Sequence, residues 1–127
     1  MIFFGTLGMK IGASNLLDYA KLFALGKETG IDVPGEKGGY LPSADESGGA
    51  LNLAIGQGAL LTTPIQLCQL VAVVANGGNV WKPFVVRKIV NPEGKTVKEF
   101  TPELKKTVFI SEETLEILRK GMKNVVA

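Results

Sequence analysis

The sequence predicts an α+β arrangement, mostly helical with one β-hairpin. Apolar residues recur at helical spacing in four stretches. One polar turn, Asn91-Pro92-Glu93-Gly94-Lys95, separates two short β-forming runs. Glycine is abundant, 16 of 127 residues, which calls for many positions of positive φ or close backbone approach.

The first stretch, residues 2–12, sets Phe3, Phe4, Leu7 and Ile11 on one helical face and has the look of a helix cut off at its own N-terminus. Ser14 stands where an N-cap belongs, before Leu16, Leu17, Tyr19, Ala20 and Phe23, and Gly26 is expected to close this second helix. From Lys27 to Gly58 the chain reads as irregular, with turns at Pro34-Gly35 and Gly38-Gly39 and a polar loop over residues 42–49. Leu51, Leu53 and Ile55 then alternate briefly before Gly56-Gln57-Gly58. Thr63-Pro64-Ile65-Gln66 is a capping box with proline at the first helical position. The third helix that follows is apolar nearly all round and is expected to be buried on most sides, stopping at Asn76-Gly77-Gly78. The hairpin pairs residues 84–90 with residues 97–100. Ser111-Glu112-Glu113 opens a fourth helix with the stripe Leu115, Leu118, Met122, Val125. Both ends have the look of cuts.

Composition excludes several functions. The apolar fraction of 46% and the net charge of +2 argue against disorder. Fourteen basic residues against twelve acidic ones, with no basic block, argue against nucleic-acid binding. There is no histidine, so Ser-His-Asp chemistry and the common catalytic zinc sites are excluded. The one cysteine, Cys68, cannot form an internal disulfide and reads as a small buried core residue. No apolar run approaches the roughly 20 residues of a spanning helix, and the apolar start lacks the basic flank of a signal peptide. No cofactor or metal is expected.

A histidine-free acyl transferase can work with Ser and Lys one helical turn apart, in the set Ser-x-x-Lys, Ser-x-Asn and Lys-Thr-Gly. The four serines, Ser14, Ser43, Ser47 and Ser111, are followed at that offset by Leu17, Glu46, Ala50 and Thr114. Lys27-Glu28-Thr29-Gly30 carries one residue too many for Lys-Thr-Gly, which puts Lys and Thr in the wrong alternation on a strand. Ser43-Ala44-Asp45 lies in the polar loop and reads as a decoy. Gly56-Gln57-Gly58 begins like a dinucleotide fingerprint but has Leu61 where the third glycine is needed.

Taken together, the segments resemble the transpeptidase domain of class B penicillin-binding proteins. The resemblance rests on Leu7-Gly8-Met9-Lys10-Ile11-Gly12, on the string from Leu25 to Glu36, and above all on Leu51-Asn52-Leu53-Ala54-Ile55-Gly56-Gln57-Gly58 with Thr63-Pro64-Ile65-Gln66-Leu67 and Ala75-Asn76-Gly77-Gly78. It implies the penicillin-binding/serine β-lactamase-like fold. It also implies that residues 1–127 are a partial transpeptidase domain between Ser-x-Asn and Lys-Thr-Gly, with Met1 at the third position of the former. The parent would be a peptidoglycan D,D-transpeptidase that cross-links stem peptides and is acylated by β-lactams at its serine. It would be anchored in the bacterial cytoplasmic membrane, with this domain outside and other cell-wall synthesis proteins as partners. No catalytic residue can be assigned here, so the chain alone is expected to be inactive and, with apolar surface exposed, to self-associate. Gly56, Gln57 and Gly58 are the candidate groove-lining residues; Gln57 either lines the groove or bonds backbone to place the third helix. A dead interaction module or truncated gene product is the alternative reading.

Overall fold

A computed structural model describes residues 2–126. The chain divides into two compact units. One comprises the residues up to Glu28 with Lys37–Val71; the other comprises Thr29–Glu36 with the residues from Ala72 onward.

The first unit contains helices α1 (Ile2–Ile11), α2 (Ala13–Leu22) and α3 (Ala50–Ala54), and most of α4 (Pro64–Ala75). Helix α1 buries its glycines rather than its large side chains. Gly5 and Gly8 are buried, while Phe3, Phe4 and Met9 point outward. The glycines lie against α3: a Cβ on Gly5 would come 2.8 Å from Leu51, and one on Gly8 would strike the Ala54 methyl and the Ala50 carbonyl. Gly8 thus lets the two backbones approach, and Gly5 leaves room for the Leu51 side chain. The brief alternation at Leu51, Leu53 and Ile55 is this short helix, since five residues are too few to separate the two periods.

Helix α2 begins at Gly12, not Ser14. Gly12 is the N-cap at φ 84°, and no side chain caps the helix, so Ser14 falls inside the first turn. The helix also ends before Gly26. The amide of Leu25 donates to the Ala20 carbonyl and that of Ala24 to Lys21, a Schellman closure with Ala24 in the left-handed position at φ 63°. A left-handed alanine costs about 1–2 kcal/mol, and glycine gives back part of that through a looser unfolded chain. Ala24→Gly is therefore expected to raise the unfolding free energy by about 0.5–1 kcal/mol in chemical denaturation. A loss of stability would contradict this closure.

Helix α4 starts as the sequence indicates. The Thr63 amide donates to Gln66 Oε1 at 2.9 Å, and the Gln66 amide to Thr63 Oγ1 at 3.4 Å. It also stops at the expected Gly77-Gly78, with the Gly78 amide donating to the Val73 carbonyl. The expected burial on most sides is not found. Gln66, Gln69, Val73 and Val74 are buried, whereas Leu67, Val71 and Cys68 are exposed. A helix apolar all round leaves its inward face to be chosen by something else, and here the hydrogen bonds of Gln66 coincide with the buried side. Cys68, expected in the core, lies on the opposite face.

The second unit contains β1 (Asn79–Trp81), β2 (Lys88–Val90), β3 (Thr96–Glu99), β4 (Leu104–Thr107) and α5 (Glu112–Asn124). The expected hairpin is β2–β3, paired Lys88↔Glu99 and Ile89↔Lys98, with its turn closed by the Lys95 amide on Asn91 Oδ1. Phe84, Val85 and Val86 lie before the strand rather than in it. A second antiparallel pair, β1–β4, brackets the hairpin, so the single hairpin of the sequence reading is corrected to two two-stranded sheets. Helix α5 is capped by Ser111, whose Oγ accepts from the Thr114 amide. Arg119 reaches the α4 carbonyls of Val74 and Ala75 at 3.3 and 3.2 Å, where a cation suits a helix C-terminus.

The expectation of exposed apolar surface is met. Ile2, Phe3, Val85, Val97, Phe109 and Ile117 are each more than 60% exposed.

Candidate functional site

Gly56, Gln57 and Gly58 follow α3 and end it. The Gly56 amide donates to the Leu53 carbonyl and the Gln57 amide to Asn52 at 2.8 Å, with Gly56 left-handed at φ 70°. This is the same closure that ends α2 and α4. Gly58 lies at φ 90°, where a Cβ would meet the Ser47 carbonyl oxygen at 2.6 Å. The two glycines are therefore accounted for by a helix stop and a close backbone passage. The Gln57 side chain is exposed and makes no hydrogen bond among the described residues.

The opposite side of that passage is fixed by Ser47. Its buried Oγ donates to the Ala44 carbonyl at 2.7 Å and accepts from the Gly49 amide. Upstream, Ser43 and Glu46 form a second capping box: the Ser43 amide and hydroxyl both reach Glu46 Oε2, and the Glu46 amide returns to Ser43 Oγ at 3.3 Å. Tyr40 donates its hydroxyl to the same carboxylate at 3.0 Å. The Ser43 amide, with the Tyr40 and Ser43 hydroxyls, holds the Glu46 carboxyl below its ordinary value, so it stays ionised and structural. The carboxylate beside the Ser43 hydroxyl is held at low basicity by these bonds, and Ser43 serves as a cap.

A second carboxylate cluster shapes Thr29–Glu36. Glu36 Oε1 accepts from the Thr29 amide and hydroxyl at 2.6 and 2.5 Å, and Oε2 from the Gly30 amide at 2.8 Å. Partial burial pushes this carboxyl up, but the Thr29 hydroxyl and the amides of Thr29, Gly30 and Ile31 outweigh it and leave it below the usual range. Thr29, part of the near-Lys-Thr-Gly string, is thereby committed to a loop.

One apolar groove of about 430 Å³ opens between α1 and α3, lined by Ile2, Gly5, Thr6, Met9, Leu51 and Ile55. None of Gly56, Gln57 and Gly58 lines it. With the Thr6 hydroxyl as the one polar side-chain group in its lining, it can hold an apolar group but offers no acid or base to activate that hydroxyl. No cluster of metal-binding side chains occurs among the described residues, and none of their helices is long and apolar enough to cross a membrane. Met1, placed by resemblance in the Ser-x-Asn motif, lies outside the described residues.

Comparison with known proteins gives the arrangement its context. The penicillin binding protein transpeptidase domain matches residues 1–127. Stage V sporulation protein D of Bacillus subtilis is 39% identical over 127 residues, covering 98% of this chain and 19% of that protein. The peptidoglycan D,D-transpeptidase MrdA of Acinetobacter baumannii is 28% identical over 134 residues, covering 98% of this chain and 20% of that protein. Among solved structures, penicillin-binding protein 3 of Mycobacterium tuberculosis, complexed with aztreonam, superposes with a TM-score of 0.78 at 30% identity, over 98% of this chain and 28% of that one. The chain thus spans about a fifth of the length of these curated relatives. Its helices and small antiparallel sheets are those of the penicillin-binding and β-lactamase-like fold, and the chain belongs to the penicillin-binding protein transpeptidase domain family.

Proposed function

We propose that these 127 residues serve a peptidoglycan D,D-transpeptidase, the activity that the relative MrdA carries in its name. The observation that carries this reading is the family match along the whole chain. In this reading a serine attacks the D-Ala-D-Ala end of a stem peptide and releases D-Ala. The acyl group then passes to an amine of a neighbouring stem, and β-lactams acylate the same serine. Residues 1–127 take the place between Ser-x-Asn and Lys-Thr-Gly. Their part is structural: helix stops and caps that hold neighbouring segments in position. Gln57, exposed beside two conformationally fixed glycines, is the residue we assign to the rim of the substrate groove. The parent is membrane-anchored with this domain on the outer side, where it meets other cell-wall synthesis proteins. Its exposed apolar faces favour self-association when the chain is isolated.

The chain contains neither Ser-x-x-Lys nor Lys-Thr-Gly. Nucleophile and base must be positioned together for acyl transfer. A fluorescent penicillin is therefore expected to leave the 127-residue chain unlabelled, while the product of the full reading frame, carrying both motifs, is labelled. Covalent labelling of the chain itself would overturn the structural role. Flanking sequence without the two motifs would overturn the transpeptidase reading.

A further inference from the structure

The β2–β3 hairpin is an outlier within its unit. Every residue of both strands is exposed, and the hairpin backbone approaches no other helix or strand among the described residues. Its base is closed on one side by the Lys82 amide on the Glu103 carbonyl at 2.9 Å, with an exposed Lys82–Glu103 ion pair at 3.4 Å beside it. Above that base, the approach through residues 84–86 forms no ladder, although Phe84-Val85-Val86 is strongly β-forming. One side chain grips it. Asp32 Oδ1 accepts from the Val85 amide at 2.7 Å and Oδ2 from the Val86 amide at 3.0 Å. Two successive amides converging on one carboxylate form a small backbone nest.

The loop that presents Asp32 is itself braced. Glu36 ties Thr29 and Gly30 together from within the loop, and Lys105 Nζ on β4 donates to the Thr29 carbonyl at 3.1 Å. The carboxylate is thus delivered from a preorganised support to a segment, residues 84–86, that makes no other side-chain hydrogen bond among the described residues.

We propose that Asp32 is a latch: its carboxylate in the Val85–Val86 nest holds the β2–β3 hairpin in place as an arm, and opening the nest lets the arm swing as a unit. Charge-assisted bonds to two amides are the stronger kind, so the latch rests closed. The Val85 and Val86 amides, and the Lys82 charge nearby, keep the Asp32 carboxyl below its ordinary value. Asp32→Asn tests the latch, because an amide has one acceptor oxygen and sets an N–H against the second donor.

In the 127-residue chain carrying Asp32→Asn, hydrogen exchange at Val85 and Val86 is expected to quicken by at least about tenfold. Backbone ¹⁵N order parameters should fall together over residues 84–99, with β1, β4 and α5 unchanged. Glu103→Gln, which removes only the exposed ion pair, should leave both readouts as in the parent chain. Unchanged exchange and order parameters in Asp32→Asn would overturn the latch. So would loosening spread equally over β1, β4 and α5, which marks general destabilisation, or arm release in Glu103→Gln.

Discussion

Gln66→Glu is expected to destabilise the chain by about 3 kcal/mol or more, although a capping box accepts Glu and Gln alike. The reason is the other end of the side chain. Gln66 is 1% exposed, and its Nε2 donates to the Lys27 carbonyl at 2.8 Å and the Gly38 carbonyl at 2.7 Å. Its Oε1 meanwhile serves the Thr63 amide. The carboxamide therefore fills three bonds and closes the base of the Thr29–Glu36 excursion from within the first unit. Glutamate keeps the capping bond but sets a carboxylate against two carbonyl oxygens. It must bury a charge or hold a proton, and a neutral carboxyl has one donor for two acceptors. The deficit should therefore shrink as pH falls through the carboxylate range. Thr63→Ala, which removes only a long 3.4 Å bond, should cost about 1 kcal/mol or less. Urea unfolding at two pH values checks all three statements. A Gln66→Glu variant no weaker than Thr63→Ala would remove Gln66 from its structural role.

Gln66 also shows how far the sequence could be read. Its cap was legible because Thr63 and Gln66 are three residues apart and the pattern is local. Its tie to Lys27 and Gly38 was not, because those partners are 39 and 28 residues away and are backbone carbonyls that carry no side-chain signature. The β2–β3 hairpin was legible from its turn, whereas β1–β4 was not. Leu104-Lys105-Lys106-Thr107 has one apolar residue, and its partner strand lies across the whole inserted hairpin. The α2 ends were misplaced because Ser14 and Gly26 fit the cap rules, while Gly12 and Ala24 took the positions. Of the candidate site, the turn at Gly56-Gln57-Gly58 could be read from its glycines. The carboxylate clamps at Glu36 and Glu46 could not, save for the spacing of Ser43 and Glu46, which is that of a capping box.

Two glycines inside helices carry opposite expectations, and the contrast isolates packing from propensity. Alanine is favoured over glycine in a helix by about 1 kcal/mol wherever space allows. Gly121 in α5 is exposed with nothing within 4 Å of a built Cβ, so Gly121→Ala is expected to stabilise by about 0.5–1 kcal/mol. Gly8 in α1 gains the same propensity, but its new methyl strikes Ala54 and comes 2.8 Å from the Ala50 carbonyl oxygen. One obstacle is backbone and the other is a methyl fixed directly to it, so neither can rotate away. The helices must separate, at an overpacking cost of about 1–3 kcal/mol that meets or exceeds the gain. Gly8→Ala is expected to end about 1 kcal/mol less stable, and Gly8→Leu several times worse. Thermal unfolding of the three variants decides it: if Gly8→Ala is as stabilising as Gly121→Ala, then α1 and α3 do not meet through bare backbone. Phe3, Phe4, Leu7 and Ile11 would then have to be the inward face that helical spacing alone suggests.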